Sequence, residues 1–293
     1  MTIPTETLQR IRRIELRTRR LVRDSFAGAY HSVFKGRGLA FDAVRPYQPG
    51  DDVRDIDWNV TARAGEAYIK RYAEERELTV MLALDTSASC LYGTQARQKR
   101  DLAAELGAVL ALSATMNNDR VGLLMFSDQI ESYIAPRKGR NHILHIIRNL
   151  LATSPLDHGT DIALGLRTIN RLASRHAIVF FMSDFLAAAD EYKRDLTAVA
   201  RRHDLIAVVL IDPSEQHIPD LGLLALRDTE VDEIRWVDSG SAVWRAQFAE
   251  QARRFQSVRT ETLKRAGTDQ ILMPVNADYT RVLSQFFQQR IRR

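Results

Sequence analysis

From residue 78 to the end of the chain, short apolar runs alternate with longer segments whose apolar residues recur at helical spacing. The apolar runs lie at 80–84, 121–126, 129–135, 177–182, 205–211 and 270–274, and the helix-like segments at 99–116, 142–151, 162–172, 192–202, 242–265 and 279–290. Strands that alternate with helices of about ten or more residues predict a mostly parallel sheet with helices on both faces. We therefore predict a doubly wound α/β fold for this part of the chain.

One segment after the fifth apolar run breaks this alternation. Residues 223–227 and 231–237 alternate apolar with polar side chains on either side of Asp228-Thr229-Glu230. Such alternation is typical of strands with one buried face, and two of them joined by a short polar turn form a β-hairpin. We predict a hairpin inserted at about residues 214–240.

The chain before residue 77 begins with a basic segment. Residues 8–22 place apolar residues at helical intervals, with arginines on the other faces, which predicts a basic amphipathic helix. Residues 1–40 carry nine arginines and lysines against three acidic residues, a net charge of +6, so the rest of the chain is close to neutral. This helix could pack on the domain with solvated arginines, or it could bind nucleic acid, anionic lipid or an acidic partner.

Short turns and interleaved charges follow the basic segment. Glycines and prolines between residues 36 and 50 mark turns, and acidic residues alternate with arginines up to residue 63. This pattern predicts a compact subdomain with many ion pairs. We divide the chain into a basic helix at residues 1–24, a small subdomain at 25–76 and an α/β domain at 77–293.

Composition places the chain among globular proteins. Hydrophobic residues make up 45% and charged residues 27% of it, which is ordinary for soluble domains. No apolar run approaches the roughly 18 residues that cross a bilayer, and the arginine-rich N-terminus lacks the apolar core of a signal peptide. The single cysteine, Cys90, excludes an intramolecular disulfide and any site built from several cysteines. We expect a cytoplasmic protein with no transmembrane segment.

Oxygen-bearing side chains follow two of the apolar runs. Asp85, Ser87 and Ser89 form an Asp-x-Ser-x-Ser sequence after the first run, Asp184 follows the fourth, and Thr160 lies in a polar loop before a helix. Open α/β sheets bind ligands beyond the carboxyl ends of their strands, and two carboxylates with three hydroxyls suit a hard cation such as Mg²⁺ or Mn²⁺. Taken singly, each residue could be a helix cap or a turn residue. Taken together, they predict a metal site.

The order of these five residues resembles the metal-ion-dependent adhesion site of von Willebrand factor A domains. The resemblance implies that the two serines and the threonine coordinate metal, while the two aspartates bind it directly or through water. An acidic residue of a partner protein would complete the coordination. The family usually has a glycine pair before the threonine, whereas this chain has His158-Gly159. The implied fold is a von Willebrand factor A-like doubly wound sheet.

A dense set of residues in the small subdomain resembles the signature of the domain-of-unknown-function 58 family. The set comprises Arg37, Asp42, Arg45, Asp51, Asp52, Arg54, Asp55, Asp57 and Trp58. Further similarity at residues 74–77, 120–122 and 136–139 extends the resemblance over most of residues 25–240. Genes of that family typically accompany a MoxR-type AAA+ ATPase. The resemblance therefore implies such a partner, in chaperone-like assembly or activation of a client protein.

The charges of this signature allow two structural interpretations. Alternating acids and arginines beside Trp58 would form a salt-bridged brace between the small subdomain and the sheet. An aspartate-rich calcium loop is the alternative, although residues 51–57 lack the glycine and the terminal glutamate of an EF-hand. We predict the brace.

These patterns leave three functions to compare. We predict a non-enzymatic, metal-dependent protein-binding module, with nucleic-acid or anionic-surface binding through the basic helix as the alternative. A metal-dependent phosphohydrolase with Asp85 as nucleophile ranks third, because that chemistry commonly uses a second carboxylate two residues on, where this chain has Ser87. The sequence contains no phosphate-binding loop of the Gly-x-x-x-x-Gly-Lys type, so ATP use would belong to the partner.

Overall fold

A computed structural model describes residues 33–34, 40–73, 77–94, 97–152, 159–227 and 233–292. The strands in these residues are β1 (Ala40–Pro46), β2 (Tyr68–Ala73), β3 (Thr79–Asp85), β4 (Arg120–Phe126), β5 (Ile130–Arg137), β6 (Ile178–Ser183), β7 (Asp204–Ile211), β8 (Leu223–Arg227), β9 (Ile234–Asp238) and β10 (Asp269–Pro274). The α-helices are α1 (Trp58–Ala64), α2 (Lys99–Met116), α3 (Arg140–Ala152), α4 (Ile162–Leu172), α5 (Ala189–Arg202), α6 (Ala242–Arg265) and α7 (Tyr279–Ile291). From β3 onward, strands alternate with helices as the sequence predicts, apart from the consecutive strands β4–β5 and β7–β9 and the consecutive helices α3 and α4.

Six strands form the central sheet, in the order β10-β7-β6-β3-β4-β5. Neighbours are parallel except β4 and β5, which pair antiparallel at one edge. Counted along the chain within this sheet, the order is 6-5-4-1-2-3, the doubly wound order in which the direction of winding reverses between the first and fourth strands. The predicted doubly wound, mostly parallel sheet is therefore confirmed, and the reversal lies between β3 and β6.

Alternate strand residues point to opposite faces of the sheet and build two separate cores. Leu82 and Leu84 of β3 pack in the core covered by α2, α3 and α7. Met81 and Ala83 pack in the core covered by α4 and α5. β6 is buried along its whole length and β3 at all but its first residue, as expected for parallel strands covered on both sides. The carboxyl ends of these two strands are thus fixed by packing on both faces.

Helix α4 approaches the sheet closely at Gly165. A Cβ atom at this position would lie 3.0 Å from ring carbons of Phe126 at the end of β4, so a larger residue would displace the ring. The side chain of Asp161 caps the helix by accepting a hydrogen bond from the Leu164 amide at 2.7 Å. The cap and the close contact fix the start of α4, and with it the loop that carries Thr160.

The predicted hairpin is present, and its second strand begins later than predicted. β8 covers the predicted residues 223–227, whereas β9 covers 234–238 instead of 231–237. The two strands pair antiparallel, with Leu223 opposite Asp238 and Ala225 opposite Trp236. The turn predicted around Asp228-Thr229-Glu230 lies outside the described residues.

One serine closes the base of this hairpin. The buried hydroxyl of Ser239 donates to the Gly222 carbonyl at 2.7 Å and accepts from the Leu221 amide at 2.9 Å. Beyond this base the hairpin exposes apolar side chains, because Leu223 and Trp236 are both 67% exposed. The chain then enters α6, which has 24 residues of which only Arg259 and Leu263 are buried. The first two thirds of α6 therefore lie outside both cores.

The small subdomain pairs β1 with β2 in an antiparallel sheet. Arg45 and Asp51 form a two-pronged ion pair with both nitrogen–oxygen distances at 2.7 Å. Asp52 caps the short 3-10 helix at 53–55, which carries Arg54 and Asp55, and Asp57 caps α1. The signature charges described here thus stabilise local turns.

This arrangement differs from the predicted brace between the subdomain and the sheet. Asp51 pairs with an arginine six residues away along the chain, and Trp58, beside these charges, is 69% exposed. Partners this close in sequence need little loop closure to meet, which explains why the charges pair locally. Arg37 and the side chain of Asp42 lie outside the described residues.

The basic N-terminal segment lies within residues 1–32, which the structure does not describe. The basic helix predicted at residues 8–22 lies outside the described residues, so its structure and its ligand stay predictions. Within the described part of the chain, no helix combines the length and the apolar character needed to cross a membrane.

Candidate metal centre

Two buried aspartates meet where the winding of the sheet reverses. Asp85 ends β3 and is 0% exposed, and Asp184 follows β6 and is 1% exposed. Oxygen atoms of both and the sulfur of Cys90 lie within 4.8 Å of one another. Within the described residues this is the single group of histidine, cysteine and acidic side chains arranged to hold a metal, and the aspartate-rich segment at 51–57 forms no second one. The group occupies the switch point at which doubly wound sheets bind ligands.

Hydroxyl groups surround the Asp85 carboxylate. Its Oδ1 accepts hydrogen bonds from the Ser87 amide at 3.0 Å and the Ser87 hydroxyl at 2.6 Å. Its Oδ2 accepts one from the Ser183 hydroxyl at 2.6 Å. The Ser87 and Ser89 hydroxyls lie 3.1 Å apart. The structure thus brings together Asp85, Ser87, Ser89 and Asp184 of the five residues predicted from the sequence.

Among the residues that the structure describes, no cation pairs with the Asp85 carboxylate. Burial and the negative charge of Asp184 together raise its pKa to about 6, although hydrogen bonds from Ser183 and Ser87 act in the opposite direction. No lysine or arginine among the described residues forms an ion pair with it. Buried charges in proteins are usually paired or bound to metal. Asp85 therefore favours the approach of a cation.

A sharp turn after β6 presents the Asp184 carboxylate. Phe185 has a φ of 54°, and its side chain is buried. Asp184 Oδ1 accepts a hydrogen bond from the Leu186 amide at 3.3 Å, so the side chain forms a local turn and does not cap α5. The guanidinium of Arg259 donates to the Asp184 carbonyl at 3.2 Å. These contacts connect α6 to the loop that follows β6.

A buried lysine pairs with the second aspartate. Lys99 Nζ donates to Asp184 Oδ2 at 2.8 Å and also to Glu215, and its side chain is 0% exposed. Burial lowers the pKa of Lys99, but the charges of Asp184 and Glu215 outweigh this effect and shift it upward. Lys99 is therefore a permanent positive charge at the edge of the candidate site.

Glu215 belongs to a capped turn at the end of a third central strand. It ends the 3-10 helix Pro213–Glu215, which follows β7 and is closed by reciprocal hydrogen bonds between Asp212 and Glu215. The Asp212 carboxylate also accepts from the Thr94 amide at 2.8 Å and the Thr94 hydroxyl at 2.7 Å. The loops after β3 and β7 are thus joined beside the candidate site.

Thr160 lies on the neighbouring loop and stands apart from the other four predicted residues. Asp161, not Thr160, caps α4. Thr160 is half-buried and lines a cavity of about 350 Å³ together with Ala187, which follows Asp184 by three residues. No hydrogen bond between described residues joins Thr160 to Asp85, Ser87, Ser89 or Asp184.

Sequence patterns missed three groups that the structure places in this network. Ser183 precedes Asp184, and the sequence indicates only that it ends an apolar strand. In the structure its hydroxyl donates a hydrogen bond to Asp85. The sequence indicates only that Lys99 is a charged residue at the start of a helix. Glu215 carried a usable signal, because Asp212 and Glu215 have the spacing of a capping box, but that signal indicates a turn and not a contact with Lys99.

Sequence comparison decides the family. A family profile described as "Protein of unknown function DUF58" matches residues 43–258. The chain belongs to the DUF58 family. An uncharacterized protein of Mycobacterium tuberculosis H37Rv is 28% identical to this DUF58 chain over 284 residues, covering 96% of this chain and 89% of that protein. An uncharacterized protein of Mycobacterium avium is 25% identical over 161 residues, which cover 54% of this chain and 94% of that protein.

Solved structures similar to this DUF58 chain include an aerotolerance-related membrane protein of Bacteroides fragilis. It shares 15% sequence identity, covers 73% of this chain and 98% of its own, and superposes with a TM-score of 0.48. BatB of Bacteroides thetaiotaomicron shares 15% identity over 74% of this chain and 100% of its own, with a TM-score of 0.46. The von Willebrand factor A (VWA) domain of SpRpn10 shares 10% identity over 73% of this chain and 95% of its own, with a TM-score of 0.41.

Proposed function

We propose that this DUF58 chain is a protein-binding module whose switch-point site holds a divalent cation, Mg²⁺ or Mn²⁺. The observation that carries the proposal is Asp85, a fully buried carboxylate that is ringed by hydroxyls and has no cationic partner among the described residues. In this proposal the site binds a partner protein and catalyses no reaction. The phosphohydrolase alternative is less well supported, because Ser87 stands two residues after Asp85, its candidate nucleophile, where that chemistry commonly uses a second carboxylate.

The donor set fits a hard cation. Carboxylate and hydroxyl oxygens are the ligands that Mg²⁺ and Mn²⁺ prefer, and they are supplied here by Asp85, Ser87, Ser89 and Asp184. Cys90 is a poor competitor, because burial raises the pKa of its thiol, with the charges of Asp85 and Asp184 adding to the shift. Thr160 would join the set from the adjacent loop.

A divalent cation bound there would supply a positive charge able to accept a carboxylate from outside. Residues of this chain hold the carboxylate oxygens of the site in fixed orientations. Ser87 and Ser183 fix both oxygens of Asp85, while Lys99 and the Leu186 amide fix those of Asp184. The partner in this proposal is a protein that presents an exposed aspartate or glutamate. We propose a MoxR-type AAA+ ATPase for this role, acting with the DUF58 chain on a client protein.

Calorimetry of the full chain tests the metal site. We expect wild type to bind Mn²⁺, and Asp85→Ala to lose at least tenfold in affinity because it removes a buried charge that faces the ion. Asp190→Ala is the matched control, since Asp190 is an exposed aspartate that pairs with Lys193 on its own helix. Equal Mn²⁺ affinity of wild type and a folded Asp85→Ala variant would contradict the proposal.

Affinity capture tests the partner. Wild type, Asp85→Ala and Asp190→Ala are used as bait in lysate of the source organism, with Mg²⁺ or with chelator. We expect an AAA+ ATPase to bind wild type and Asp190→Ala in Mg²⁺ only. Recovery of the ATPase with Asp85→Ala or in chelator would place its interface elsewhere on the chain.

A further inference from the structure

Lys99 is an unusual residue for its position. It is the first residue of α2, where the helix dipole disfavours a positive charge, and fully buried lysines are rare in proteins. A charge that violates both tendencies is costly, and such departures are expected mainly at functional sites. In the proposed function above, Lys99 only holds one oxygen of Asp184 in place.

The surroundings of Lys99 hold its ammonium group in place. It is bound on one side by Asp184, at 2.8 Å, and on the other by Glu215. Glu215 is itself held by the Asp212 amide, at 3.1 Å. Two carboxylates therefore hold the ammonium, and its displacement from the pair would leave both without their positive partner.

The two aspartates of the site consequently differ in charge balance. Among the described residues, Asp85 has only hydroxyl and amide donors, whereas one oxygen of Asp184 is already paired with the positive charge of Lys99. Since the ligand atoms of Asp85 and Asp184 lie within 4.8 Å of each other, a divalent cation bound between them would also lie close to the Lys99 ammonium. Like charges at such separations repel strongly inside a protein.

We propose that Lys99 is a built-in competing cation that limits the affinity of the switch-point site for divalent metal. The inference rests on the proposed metal site and adds a residue that tunes it. Lys99 neutralises Asp184 permanently. The site therefore attracts a cation less strongly than its two carboxylates would alone. Glu215 has the opposite effect on the metal affinity, because its negative charge offsets the positive charge of Lys99.

Two substitutions separate this role from a merely structural one. Lys99→Met keeps a long side chain and removes the charge, and we expect it to bind Mn²⁺ at least tenfold more tightly than wild type. Glu215→Gln keeps the shape of the turn and leaves the ammonium less compensated, and we expect it to bind Mn²⁺ more weakly. A structural role would make both variants bind more weakly. Lys193→Met, at an exposed helix position, is the control and should equal wild type.

The measurement is titration of the full-length variants with Mn²⁺, read by the loss of the paramagnetic resonance signal of free Mn²⁺. Circular dichroism in chelator and in Mn²⁺ reports folding. If Lys99→Met folds only with metal, the Mn²⁺ concentration at the midpoint of its refolding is compared in place of its Kd. A midpoint below the wild-type Kd supports the proposal. Equal or weaker Mn²⁺ binding by Lys99→Met, or tighter binding by Glu215→Gln, would overturn it.

The outcomes also separate this inference from the proposed function. Wild-type binding that Asp85→Ala abolishes, with no gain in Lys99→Met, overturns the inference and leaves the metal site standing. Binding by Lys99→Met alone supports the inference and shows that Lys99 replaces the metal in the native chain. Absence of Mn²⁺ binding from wild type and every variant overturns both.

Discussion

At the scale of single residues, His203 shows how burial of one ring controls stability in acid. His203 is 3% exposed, and neither ring nitrogen has a hydrogen-bond partner in the described residues. Burial, with a smaller effect from the positive charges of Arg202 and His176, lowers its pKa to about 4. The unfolded chain, with a pKa near the ordinary value of 6.5, therefore binds a proton more readily than the folded chain does.

We predict that this difference costs stability as the pH falls. The contribution of neutral His203 is fully present above about pH 6.5 and is lost as the pH falls from there towards 4. At pH 5 the loss is about 2 kcal/mol relative to pH 8. Urea unfolding of wild type and His203→Leu at the two pH values measures it, and the variant should be less acid-sensitive by this amount. A parallel pH dependence of both proteins would contradict the prediction.

Residues of the candidate site differ in how far the sequence reveals them. Asp85 and Asp184 could be predicted, because each ends an apolar run and the ends of parallel strands meet at one edge of the sheet. The pairing of Lys99 with Glu215 could not, because these residues are 116 positions apart and the local pattern around Glu215 indicates only a capped turn. Their contact depends on how the loops after β3 and β7 fold together, which no spacing in one sequence encodes.

At the scale of elements, helix ends were predictable where a capping residue marks them. α4 and α6 begin at the predicted residues, after the side-chain caps Asp161 and Ser241. α5 begins three residues earlier than predicted, because its cap, Ala188, forms no side-chain hydrogen bond and leaves no signal in the sequence. The start of β9 was misplaced for a related reason: alternation continues across the turn and does not show where pairing begins.

The base of the hairpin provides a prediction at this scale. Ser239→Ala removes the acceptor of the Leu221 amide and leaves a backbone donor without a partner. An unsatisfied group of this kind costs about 1–3 kcal/mol. We expect faster hydrogen exchange at Leu221 and in β8 and β9, with β3 and β6 unchanged. Ser257→Ala, at an exposed position of α6, is the control, and equal exchange in both variants would show that the serine does not hold the hairpin.

At the scale of the whole molecule, one sheet separates two cores that must form together. Ile146 of α3 belongs to one core and Ile169 of α4 to the other, and both are 0% exposed. The sequence predicted this two-sided burial through the continuous apolar runs of the parallel strands. It could not predict which helix covers which face, because with right-handed crossovers that depends on the order of the strands in the sheet.

We predict that losses in the two cores add. Ile146→Val and Ile169→Val should each cost about 0.5–1.5 kcal/mol of unfolding free energy, and the double variant should lose their sum because the sheet separates the two sites. Urea unfolding of the four proteins measures the values. A departure from additivity of more than about 0.5 kcal/mol would show that the faces are coupled through the sheet.

Cys90 makes the opening of the switch-point loop chemically visible. It is the one cysteine of the chain, it is 0% exposed, and it lies against Asp85 and Asp184. A thiol reagent can therefore modify the native protein only while the segment after β3 is detached from the sheet, and every modified molecule records one such event. The alkylation rate in buffer, divided by the rate in denaturant, gives the fraction of time for which that segment is open. The chain thus carries its own kinetic probe at the place where a ligand would enter.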